Sequence, residues 1–72
     1  MTDKIAYSIL LIRKFAEHYS LQVRQAYQYL SRYKGIEFID ECYEAEHLLS
    51  IDDAIEDVSR ICQNNGGNLS YA

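Results

Sequence analysis

Across 72 residues the chain contains no proline, and its three glycines stand where a helical pattern of apolar residues stops. Proline breaks a helix because it lacks the backbone donor and clashes with the preceding turn; glycine ends one because it accepts the left-handed conformation. A chain punctuated only by glycine can therefore be helical along most of its length, and its apolar spacing says where. The expected fold is all-α, a compact bundle of four short helices over about residues 3–18, 21–33, 36–46 and 51–64. One helical domain is expected over residues 1–66, and residues 67–72 form a flexible or extended tail.

Successive helical residues lie 100° apart, which puts Ile5, Ile9, Ile12, Phe15, Ala16 and Tyr19 on one broad face of the first helix, the expected core face, with Leu11 widening it. Leu10 points among Arg13, Lys14 and Glu17, where a solitary soluble helix would carry a polar group, and is a candidate contact residue. Ser20 suits the N-cap of the second helix, because its hydroxyl can accept an otherwise unpaired backbone N–H. That helix has Val23, Ala26, Tyr27, Leu30 and Tyr33 on its apolar side, Arg24, Gln28 and Arg32 opposite, and Gly35 as its expected end.

In the third helix Ile36, Phe38, Ile39, Cys42 and Tyr43 face inward, and Glu37, Asp40, Glu41 and Glu44 outward. Continued regularly, this helix would bring Glu46 beside Ile39 in the apolar sector, so it is expected to end or bend between Ala45 and Leu49. The fourth helix starts at a Ser50 cap, places Asp52 and Asp53 in the first turn where the helix dipole favours negative charge, and carries the stripe Ile51, Ala54, Ile55, Val58, Ile61 and Cys62 up to Asn64, Asn65 and Gly66. Leu69 and Tyr71 equip the tail for a short extended contact.

A chain this short buries only about 60% of its unfolded surface, and a single core of that size supplies roughly 3–5 kcal/mol. Two cysteines make no disulfide framework, and the apolar run Ile9–Ile12 is too short to span a bilayer or serve as a signal segment. These features point to a reduced, cytoplasmic protein that gains stability by association. The net charge of −4 is divided: residues up to Lys34 carry +4, and those from Gly35 onward −8. A two-fold homodimer could set the basic half of one chain against the acidic half of the other. Its contact residues are expected among Leu10, the face-edge tyrosines Tyr7 and Tyr29, and Arg24 and Arg32.

The stretch ECYEAEHLLSIDD concentrates the residues capable of chemistry. Asp40, Glu44 and His47 follow the spacing i, i+4, i+7, so an unbroken helix would align two carboxylates and an imidazole into a metal-binding stripe. Against this, a lone acid-histidine pair is short of the doubled set with further glutamates that helical di-iron proteins use, and an acidic solvated face explains the same residues. Cys42 and Cys62 fall within apolar stripes among acidic neighbours, which suits packing rather than nucleophilic attack. His18 reads as a half-buried or capping histidine. The second and third helices resemble a helix-turn-helix, but a recognition helix bearing Glu37, Asp40, Glu41 and Glu44 would repel phosphate.

The segment GIEFIDECYEAEHLLSIDDAIEDV resembles a family of short bacterial proteins of unknown function found notably in gut anaerobes. The aromatic second helix closed by Tyr33-Lys34-Gly35, the pair Tyr43 and His47, the Ser50-Ile51-Asp52-Asp53 start and the Asn65-Gly66-Gly67 ending match too, so the resemblance covers most of the chain. It looks like a family often encoded beside larger proteins similar to ADP-ribosyltransferases, which implies a small partner or antitoxin-like module.

The expected function is a non-enzymatic helical interaction module without cofactor; the alternatives are a metal protein using Asp40, Glu44 and His47, and a helix-turn-helix DNA-binding protein. Metal analysis of protein purified without chelator distinguishes the first alternative. Protein that holds no stoichiometric metal after supplementation with iron, manganese and zinc is the expected outcome, and one tightly held ion per chain would favour the acid-histidine site.

Overall fold

In a computed structural model, which describes residues 3–68, five helices follow one another and no strand occurs among the described residues: α1 (Asp3–His18), α2 (Val23–Arg32), α3 (Gly35–Glu41), α4 (Tyr43–Glu46) and α5 (Ile51–Asn64). None of these helices is long and apolar enough to cross a membrane. Leu69 and Tyr71 lie outside the described residues. The expected third helix is two pieces, because the chain leaves helical geometry at Cys42, whose φ is −105°.

The first turn departs from the expected chemistry. Ser20 is not the cap of α2 but adopts the left-handed conformation, φ 56°, just past the end of α1. The Leu21 N–H donates to the Ala16 carbonyl at 2.8 Å and the Ser20 N–H to Glu17 at 3.3 Å. These are the paired backbone bonds with which helices commonly close when glycine follows them, made here by a serine. The start of α2 falls to Gln22, whose N–H donates to the Gln25 side chain at 2.9 Å. Ser50, by contrast, caps α5 as expected, its hydroxyl accepting the Asp53 N–H at 3.1 Å. Gly66, at φ 93°, closes α5 with the same bond pair found after α1, Gly67 N–H to Cys62 and Gly66 N–H to Gln63.

The core joins Leu11, Phe15 and Ala16 of α1, Ala26 and Leu30 of α2, Ile39 of α3, and Ala54, Ile55, Val58 and Cys62 of α5. Two expected faces are therefore corrected. On α1 the buried edge runs through Leu11 and Phe15, while Ile5 and Ile9 are each 51% exposed. On α2 Ala26 and Leu30 turn inward, and Val23 and Tyr27 lie outside. Both helices are apolar over a wider arc than the core can cover, so an apolar edge of each remains in solvent.

Gly35 does not end α2 by taking a left-handed conformation. Lys34 does that, at φ 73°, and Gly35 opens α3 where α2 and α5 leave no space. A Cβ on Gly35 would stand 2.6 Å from Leu30 Cδ2 and 2.8 Å from Cys62 Sγ. Alanine is normally preferred to glycine in a helix by about 0.5–1 kcal/mol. Here the clash reverses the sign, since overpacking a closed core costs about 1–3 kcal/mol. Gly35→Ala is expected to lower the denaturation midpoint accordingly, and an unchanged or raised midpoint would show that the three helices are not locked at this point.

Candidate functional site

The apolar edges left outside by α1 and α2 face each other. Ile9 and Ile12 of α1 and Val23 and Tyr27 of α2 line a groove of about 420 Å³, with Arg13 and Arg24 beside them. Ile5 extends the apolar surface along α1. The groove follows from the order of contacts in the fold: Leu11 and Phe15 turn α1 toward α5, and Ala26 and Leu30 turn α2 the same way, so their remaining apolar residues converge on the other side. Neither Arg13 nor Arg24 forms an ion pair among the described residues, whereas Lys4, Lys14, Lys34 and Arg60 all do. The result is an almost wholly apolar groove with two arginine side chains on its border.

The residues singled out by sequence are dispersed. Leu10 is 44% exposed, as its place on the wheel requires, and Arg24 borders the groove. Arg32 lies 5.7 Å over the Tyr33 ring. Tyr7 and Tyr29 are half-buried: the Tyr7 hydroxyl donates to the Glu46 carbonyl at 3.2 Å, and the Tyr29 ring stacks on Phe15 at 5.8 Å. Burial pushes the Tyr29 phenol up to about 12, and its hydroxyl finds no partner among the described residues.

The break at Cys42 divides the supposed metal stripe between two helices and the turn after them. Asp40 pairs with Lys4 at 3.0 Å, and His47 stacks on Tyr43 at 4.5 Å with its Nδ1 2.8 Å from the Tyr43 carbonyl oxygen. No three His, Cys, Asp or Glu side chains converge as a metal site among the described residues. His18 is exposed, with its ring edge-on to Tyr19. Cys62 is fully buried, and burial pushes its thiol up to about 11 against a smaller opposing effect of a backbone hydrogen bond from Gly35. Such a thiol is almost wholly protonated at neutral pH and a poor nucleophile.

The site that sequence reasoning missed is Glu46. Its position in the apolar sector implied that the chain would bend to keep it out of the core; the chain bends earlier, at Cys42, and Glu46 remains only 8% exposed. One of its carboxyl oxygens is buried without a partner among the described residues. Burial first, then the hydrogen bond with Asp57 and its negative charge, push the Glu46 carboxyl up to about 7. The signal available in the sequence was the acid at an apolar position, which marked Glu46 itself as well as a break.

The chain is similar over residues 6–65 to the family described as Protein of unknown function (DUF3791). No curated protein and no solved structure matches it.

The raised Glu46 carboxyl ties stability to pH. The unfolded chain releases this proton near 4.5 and the folded chain near 7, so in that window the folded state holds more protons and stability falls as pH rises. Glu46→Gln removes the charge while keeping the shape. The variant is expected to be more stable than the parent by about 1–3 kcal/mol at about pH 8 and nearly equal to it at about pH 4, measured by denaturant unfolding. A stability difference that does not change with pH would show that Glu46 titrates alike in both states.

Proposed function

We propose that this chain, which belongs to the DUF3791 family, is a non-enzymatic helical module that binds another protein through the groove between α1 and α2. The observation that carries this reading is the apolar strip itself. Ile5, Ile9, Val23 and Tyr27 are each about half exposed along one side of an 8.4 kDa protein. Apolar surface left in water forgoes about 25 cal/mol per Å² of burial, and contiguous patches rimmed by polar groups are commonly contact surfaces.

The flanking arginines specify the partner's chemistry. Arg13 and Arg24 have no carboxylate partner among the described residues, so the complementary segment presents apolar side chains between acids. The guanidinium groups set its orientation and speed its approach, while apolar burial supplies most of the affinity. Leu10 and Arg32, also exposed, offer secondary contacts away from the groove.

The sequence resemblance supplies a specific candidate: an ADP-ribosyltransferase-like protein encoded beside it in a bacterial genome, which this module would accompany or restrain in the manner of an antitoxin. The two unpaired cysteines suit a reducing cytoplasm. The metal-site alternative loses support where Asp40 is neutralised by Lys4 and separated from His47 by the break at Cys42.

Co-expression of the module with such a neighbour, followed by capture on a tag, tests the reading. The parent is expected to retain the neighbour, while Ile9→Lys and Val23→Glu each reduce capture at least about tenfold, as loss of a central apolar anchor does. Glu56→Gln, on the exposed side of α5, leaves capture unchanged. Capture by both groove variants at the parental level would overturn the groove as the binding site, and no capture by the parent would remove this partner.

A further inference from the structure

The turn between α4 and α5 carries Leu48, at 77% exposure the most exposed large apolar side chain among the described residues, with Leu49 beside it at 39%. Glu44, Asp52 and Asp53 flank this pair and are themselves exposed, and no lysine or arginine occurs between Lys34 and Arg60. The leucine turn thus has the opposite character to the groove: an apolar projection between acids, where the groove is an apolar depression between arginines.

The two do not meet within one molecule. Tyr7 reaches toward α4 through its bond to the Glu46 carbonyl, and Ile9, two residues further along, points about 200° away around α1 into the groove. The projection and the depression therefore occupy opposite flanks of α1. We propose that a second copy of this chain occupies the groove, seating its Leu48–Leu49 turn on Ile9, Val23 and Tyr27 and setting its acids against Arg13 and Arg24. This inference rests on the groove being a docking site, and adds what fills it when the partner is absent.

Because projection and depression lie on opposite flanks, the contact is heterologous and repeats head to tail, in place of the two-fold pair that the charge division first suggests. A groove-to-groove pair would bring Arg13 and Arg24 of one copy toward the same residues of the other. Head-to-tail contact instead joins the basic half of each chain to the acidic half of the next. Partner and second copy compete for one groove, so partner binding dissolves the self-assembly.

Sedimentation of the full chain tests this with two variants that spare the core. Leu48→Asp disables the projection, and Val23→Glu, at the first residue of α2 where the helix dipole tolerates an acid, disables the groove; circular dichroism checks that both remain helical. The parent's average mass is expected to rise with concentration, and each variant alone to remain monomeric. Mixed in equal amounts, the variants should form a dimer and nothing larger, because one intact projection and one intact groove remain between them. A parent monomeric at every concentration, a variant that still self-associates alone, or a mixture that stays monomeric would overturn the inference. Loss of neighbour capture by groove variants beside a monomeric parent leaves the docking reading standing; parental capture by them refutes that reading whatever the sedimentation shows.

Discussion

The contact on which the rest of the packing depends is the approach of α3 to α2 and α5 at Gly35. With Leu30 Cδ2 and Cys62 Sγ occupying the space a Cβ would need, α3 starts only two residues after α2 and packs tightly against it, with Ile39 in the same core as Val58 and Cys62. Once these helices are drawn together at this point, the space left for α1 accommodates its Leu11, Phe15 and Ala16 edge. Its Ile5 and Ile9 edge, like Val23 and Tyr27, is then left about half exposed by the described residues. The exposed groove is thus a consequence of a core that closes tightly around one glycine.

Electrostatics reinforce that division. Lys4 joins α1 to α3 through Asp40, and Lys14, Lys34 and Arg60 pair with acids three or four residues away on the same stretch of chain. Such exposed pairs contribute only about 0–1 kcal/mol each. Their larger effect is on what remains: among the described residues they leave Arg13 and Arg24 at the groove, and Arg32 away from it, without carboxylate partners. Glu46 is the reverse case, an acid held under Tyr7 and beside Asp57, where charge is expensive.

The helical class, the α5 stripe and its Ser50 cap were legible because each rests on local periodicity and capping chemistry that tertiary contacts do not alter. The apolar face of α1 was not. Three isoleucines outweigh Leu11 on a helical wheel, and a wheel shows which residues are apolar but not which of two apolar edges meets the core. Ser20 was misread because left-handed closure is normally the property of glycine, and Gly35 because its role is spatial: Leu30 and Cys62 are neighbours only after folding. The groove was legible in part, as surplus apolar surface on the first helix. Its location depended on the same ambiguity of faces.

The connections between helices carry a kinetic consequence. Tyr33 and Lys34 alone separate α2 from α3, Cys42 alone separates α3 from α4, and four residues suffice at each of the other two junctions. Closing loops this short costs little chain entropy, and small helical proteins with mostly neighbouring contacts reach the native state in microseconds to milliseconds, as an order of magnitude. The steps that do not share this economy are the returns to the leading helix: α3 through Lys4 and Asp40, α4 through Tyr7 and Glu46, and α5 through the hydrogen bond from Tyr19, just past α1, to Ser59, which spans 40 residues. During synthesis the four earlier helices emerge first, so the leading part of the chain must wait, with Leu11 and Phe15 covered only in part by α2, for α5 to arrive.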